Sequence, residues 1–228
     1  MTTTMPINFH VERADLHFEA GFSEPEFTLF RDTAGLLSQL FKRLEPHGAR
    51  LSEIRTERGA GSAADFHVLC YLFNFLMTIR IRVDRIEVIC SEFNRDHAEK
   101  FSAAIVDTLG AVRSFRPELS LRAYTLVIGL HGTLDGNSTE HFLSRFAANI
   151  PSGLGPSVGS GTVMYFGPEH ERQMCALTVD RSAVVQDALF VRTHVVWDAK
   201  RVESQDLPKT ADAFVKQALT AMGLQLPQ

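Results

Sequence analysis

Arg80, Arg82 and Arg85 stand close together in the chain, with Arg55 and Arg58 upstream and His67 between. Guanidinium groups at this spacing can hold an anion or a nucleic-acid backbone. In a strand, alternation places Arg80 and Arg82 on one face, opposite Met77, Ile79, Ile81 and Val83, and brings His67 to the same polar side. Asp84 and Glu87 lie beside them. Three readings follow: a solvated face balanced by these carboxylates, a surface for an acidic protein, or a nucleic-acid contact.

Gly153, Gly155, Gly159 and Gly161 form a second cluster. A phosphate cradle of the Walker type needs a Lys and a following helix, and a dinucleotide fingerprint needs strand, glycines, then helix. Here a helical pattern precedes, a strand pattern follows, and the loop carries no Lys or Arg. It reads as a surface loop, a partner-binding loop or an RNA-backbone loop. His131, Asp135 and His141 are the weaker metal candidates: imidazole and carboxylate can hold a divalent ion or pair a base with its orienter. Their spacing matches no HExxH-type arrangement, and Asp135-Gly136-Asn137 is turn composition. His170, Glu171 and Cys175 form another ligand set, in a segment that reads as a hairpin tip. No Gly-x-Ser-x-Gly elbow is present at a strand-to-helix turn. Cys70, Cys90 and Cys175 sit in apolar runs, as buried free thiols rather than nucleophiles or a disulfide framework.

The elements that must position these residues follow from hydrophobic periodicity. Ile7 to Glu19 alternates as a strand. Ser23 and Glu26 are spaced as a capping box before Phe27, Phe30, Ala34, Leu37, Phe41 and Leu44, a helical stripe that Pro46 and Gly48 end. Leu51 to Thr56, Phe66 to Leu72, Met77 to Val83 and Ile86 to Ile89 read as an antiparallel meander. Asn94 begins a second helix, with Phe101, Ile105, Leu109 and Val112 on one face. The order then repeats. A strand spans Leu119 to His131. Asn137 and Glu140 cap a short helix with Leu143, Phe146, Ala147 and Ile150. Strands follow at Thr162 to Phe166, Gln173 to Val179 and Leu189 to Trp197. A last helix begins at Asp206 and Pro208 and closes at Gly223. The prediction is an α+β protein of two pseudo-repeated strand-helix-meander-helix halves, 1–116 and 117–228, forming one compact unit. Its sheet is largely antiparallel with helices packed on one face.

The whole chain has 228 residues, 45% of them hydrophobic and 22% charged, with a net charge of −4. That composition excludes extensive disorder and a polytopic membrane protein. Lys plus Arg, at 23, falls short of Asp plus Glu, at 27, which disfavours a duplex-binding domain. With no positive N-terminal region leading an apolar run, and no long apolar stretch, the expected location is the cytoplasm, with no membrane contact.

The duplicated element order resembles TATA-binding-protein-like saddles and the tandem ferredoxin-like proteins of the CRISPR repeat-processing class. Those proteins carry a Gly-rich loop after a helix of the second unit, which draws attention to Gly153 to Gly161. Leu177 to Leu224, with its Leu-Thr-Val-Asp strand and closing helix, resembles an uncharacterised, sporadically distributed bacterial family of about this length, often found near mobile elements and defence genes. The sequence expectation is a non-catalytic interaction subunit of a bacterial multi-protein system, a homodimer or complex subunit needing no cofactor. The alternatives are a nucleic-acid-binding protein or tandem ferredoxin-like endoribonuclease that uses Arg80, Arg82 and Arg85, and a small metal-dependent hydrolase at His131, Asp135 and His141.

Overall fold

The computed structural model describes residues 6–57, 65–93, 97–136, 138–146 and 161–227. The first half supplies β1 (Ile7–Phe22), α1 (Thr33–Leu44), β2 (Ile54–Glu57), β3 (His67–Leu72), β4 (Met77–Ile81), β5 (Arg85–Phe93) and α2 (Ala98–Phe115). The second supplies β6 (Leu121–Leu134), α3 (Thr139–Ser144), β7 (Thr162–Phe166), β8 (Arg172–Arg181), β9 (Leu189–Asp198), α4 (Leu207–Ala221) and β10 (Leu224–Gln225). The fold is α+β, and one sheet runs through both halves in the order β2-β3-β4-β5-β1-β6-β9-β8-β7. Neighbours along it are antiparallel; β10 alone adds in parallel, to the start of β1.

The first strand of each half lies at the centre. β1 and β6 pair from Phe9↔Leu134 to Phe22↔Leu121 and join the halves. The boundary expected after residue 116 falls between α2 and β6. A split β-α-β unit of the ferredoxin-like kind sets parallel strands side by side; the antiparallel ladders of β1 to β9 depart from that likeness.

Alternation gives the sheet one apolar face. Phe18 and Ala20 of β1, Tyr124 and Leu126 of β6, and Val195 and Trp197 of β9 are buried beneath the helices. Leu36, Leu40 and Leu44 of α1 and Phe101, Leu109 and Val112 of α2 close this core over the first half. Phe142 of α3 and Val215 and Leu219 of α4 close a second cluster over Leu177, Val179, Leu189 and Val191. Each fully buried Leu or Phe side chain contributes about 1.5–3 kcal/mol.

Three local expectations change. The Ser23–Glu26 box does not start α1. Glu26 instead caps a 3₁₀ turn, Phe27–Phe30, accepting from the Thr28 amide at 3.1 Å. The helix starts one turn later, where the Asp32 carboxylate accepts from the Gly35 amide at 2.9 Å. The tighter turn moves the buried stripe to Leu36, Leu40 and Leu44, and leaves Phe27 exposed. Leu51–Glu53 is also a 3₁₀ turn, so β2 is short. The loop expected from Gly132 is strand as far as Leu134, and Ser138 caps α3, accepting from the His141 amide. Asn94, Asn137, Ala147 and Ile150 lie outside the described residues.

Candidate functional site

The four α-helices among the described residues cover one face of the sheet, so the side chains of the opposite parity form an open face that no described helix covers. The strand register carries one row straight across it: Tyr71, Thr78, Ile89, His17, Val127, His194, Ala176, Tyr165. None of these eight is an acid, a lysine or an arginine. Burial, the Arg192 guanidinium and His17 all push the His194 imidazole below its usual pKa, which keeps it neutral at pH 7.

The two ends of this row lie in different surroundings. On the first half, the predicted arginines do share a region, but they are not free. Arg80 pairs with Glu87 at 3.2 Å, and Arg85 with Glu87 at 2.6 Å and Glu19 at 3.5 Å. Arg85 also meets Asp84, which Arg82 approaches at 3.9 Å. Glu87 is buried. Burial alone would raise its pKa, but the Arg85 hydrogen bond and the charges of Arg85, Arg80 and Arg82 outweigh it and hold the carboxyl below its usual value. Arg55 pairs with Glu57 at 2.8 Å and its guanidinium also donates to the Tyr71 hydroxyl. Each of Arg55, Arg80, Arg82 and Arg85 thus has a carboxylate within 3.9 Å, a compensated charge network; Arg58 lies outside the described residues.

On the second half, the open face presents Val127, Thr125, Val196, His194, Ala176, Thr178 and Met174, with Arg192, Asp180 and, at the end of β9, Asp198 as its charges. It ends at β7, the outermost strand. Val163 is 49% exposed and Tyr165 77%, both on this face, and Phe166 is exposed beside them. The strand Thr-Val-Met-Tyr-Phe has no charge and no proline, and among the described residues none pairs with its outer side. Natural edge strands are usually guarded by such residues, and an unguarded one is a pairing site.

The other sequence candidates are dispersed. His131 lies on the open face, its ring stacked on Phe190 and its Nδ1 2.9 Å from the Ser182 hydroxyl. Burial pushes its pKa down, against the pull of Asp15 at 3.8 Å. Asp135 instead joins Asn8 and His10, each at 2.8 Å, and these hydrogen bonds hold its carboxyl below its usual pKa. His141 is on α3. Among the described residues no group of three or more His, Cys, Asp or Glu could hold a metal ion. The metal site expected at His131, Asp135 and His141 is therefore not assembled, because the three occupy a strand face, a strand end and a helix. His170 sits at the turn joined by the Glu169–Arg172 bridge, while Cys175 is buried in β8. Burial raises all three thiols, Cys70 and Cys90 to about 12, which removes them as thiolate nucleophiles.

Gly153, Gly155 and Gly159 lie outside the described residues. Gly161 leads into β7 beside Asp180; a Cβ there would stand 2.6 Å from the Asp180 carboxyl carbon, so close approach explains this glycine. The exposed trio at β7 was missed as a site. Its strand was legible, but without the charge or proline that guards most edges it reads like an interior strand.

No family model and no curated protein matches the chain. Among solved structures, a rolling circle replication initiator protein from Geobacillus stearothermophilus is similar at 11% identity and a TM-score of 0.33, over 89% of this chain and 78% of that one. At that level the likeness carries no argument about this chain's fold or activity. Among the described residues no helix is long and apolar enough to cross a membrane.

Proposed function

We propose that this is a non-catalytic binding protein that docks a protein partner, or a second copy of itself, on the second half of the open face and along β7. One observation carries the reading: a row without acids, lysines or arginines crosses the sheet and ends at β7, whose outer side no described residue pairs, with Val163, Tyr165 and Phe166 exposed. Strand addition at such an edge supplies main-chain hydrogen bonds, and the side chains of one face supply selectivity. Compensated charge beside it favours protein over nucleic acid, since phosphate binding needs a surplus of cations. The mirrored order of the halves about β1 and β6 supports the reading of an internal duplication.

The test is a photo-crosslinking residue placed at Tyr165 or, as a control, at Arg55, in cells that make the protein. A discrete protein adduct, either this chain or one other chain, from Tyr165 and not from Arg55 is the expected result. Adducts to nucleic acid, equal adducts from both positions, or none at all overturn the reading.

A further inference from the structure

A cavity of about 450 Å³ lies on the covered face, between α2 and α4 and above the β1–β6 pair. Its floor includes Leu16, Phe18, Leu126 and Ile128; Phe101 and Ile105 stand on the α2 side, Ala211 and Val215 on the α4 side. The helices belong to different halves: α2 closes the first core, α4 gives Leu207 to that core and Val215 and Leu219 to the second, and the cavity lies where the two cores meet. Leu16 and Ile128 therefore stay only half-buried although they sit mid-sheet under the helix layer. Small side chains, Ala98 and Ser102 on α2 and Ala211 on α4, keep the gap open.

Protein interiors have few voids larger than a water molecule, and ordered water needs two to four polar partners, which this floor lacks. The volume lies within the range of about 300–1,000 Å³ typical of small-molecule sites, which recur between helices.

We propose that this cavity binds an uncharged, mainly aliphatic small molecule. Charge at its rim decides against an acid. Lys216 is held by Asp212 at 2.7 Å, Arg13 by Glu92 at 2.9 Å, and His10 by Asp135 at 2.8 Å. Glu12 also lines the rim and forms no ion pair among the described residues. A carboxylate or phosphate would meet Glu12 with no unpaired cation among the described lining residues to offset it, whereas a neutral chain loses nothing there. The site is separate from β7 and does not rest on the reading proposed for the open face.

Trp197, the single tryptophan, lines the cavity and is buried, so it reports on occupancy. The experiment is titration of the full chain with 11-bromoundecan-1-ol, whose bromine quenches an adjacent indole. Saturable quenching is expected, at least tenfold weaker in affinity for Ala211→Phe and for Ser102→Phe, which fill the gap from opposite walls. The corresponding bromo acid should bind at least tenfold more weakly than the alcohol, and Tyr165→Lys should leave the titration unchanged. Circular dichroism identifies a filled variant that has failed to fold, and the other wall's variant then decides. Unsaturable quenching, equal quenching in the folded filled variants, or equal binding of the acid overturns the proposal.

Discussion

The two halves of the open face use similar strands to opposite ends. On the first, Arg80, Arg85, Glu87 and Glu19 neutralise one another, and the edge strand β2 carries the Arg55–Glu57 pair. On the second, β9, β8 and β7 present mostly Val, Ala, Thr and Met, and the edge carries Val163, Tyr165 and Phe166 exposed. A paired charge network satisfies itself and guards its edge; an exposed apolar edge with no described strand on its outer side offers its main-chain groups to a further strand. On the proposed reading, similar antiparallel frames carry one half built for stability and one built for contact.

The sharpest way to break this contrast is Glu87→Gln. It should cost about 1–3 kcal/mol in urea unfolding, because Arg80 and Arg85 lose a largely buried carboxylate partner, and it should leave crosslinking from Tyr165 intact. Loss of the adduct with unchanged stability would reverse the roles given to the two halves.

A second effect is pH-dependent. His131 and His194 both have folded pKa values lowered by burial, so the unfolded chain binds protons first as pH falls. Stability should be full above about pH 6.5 and decline toward pH 5. His194→Gln should flatten part of that decline in urea midpoints. Glu87, lowered instead by its arginines, adds a further loss only below about pH 4.5. A profile that is flat from pH 7 to 5 would remove the account of His131 and His194 as imidazoles that burial holds uncharged.

Tyr165→Lys should change unfolding free energy by no more than about 0.5 kcal/mol, as exposed sites do, while abolishing the Tyr165-edge adduct read from a crosslinker at Val163. The smallest expected effect is Arg55→Ala, within about 0.5 kcal/mol because exposed pairs contribute little, with the adduct retained. Were Arg55→Ala to remove it, β2 would replace β7 as the docking edge.

The period-2 alternation of β4, β5, β8 and β9 was legible, and β7 was read at its observed bounds, since side-chain alternation is a local property of strand geometry. The α2 face of Phe101, Ile105, Leu109 and Val112 was legible for the same reason at period 3.6. The start of α1 was not, because Ser23–Glu26 and Asp32–Gly35 are competing caps and the choice between them depends on where Leu36 and Leu40 find their core. The arginine cluster was visible as a group with its balancing carboxylates Asp84 and Glu87, but its further partner Glu19 comes from β1, far away in the chain.

By itself, the sequence determined the α+β class, the order of the elements, the apolar stripe of each and the absence of surplus positive charge, all set by neighbours a few residues apart. Only the tertiary structure decided the rest. Strand order made β7 an edge, register aligned His17 with His194 in a row without acids, lysines or arginines, and the meeting of two helix layers left a cavity over β1 and β6. These depend on residues far apart in the chain, whose pairing is chosen by the burial of whole faces rather than by local pattern.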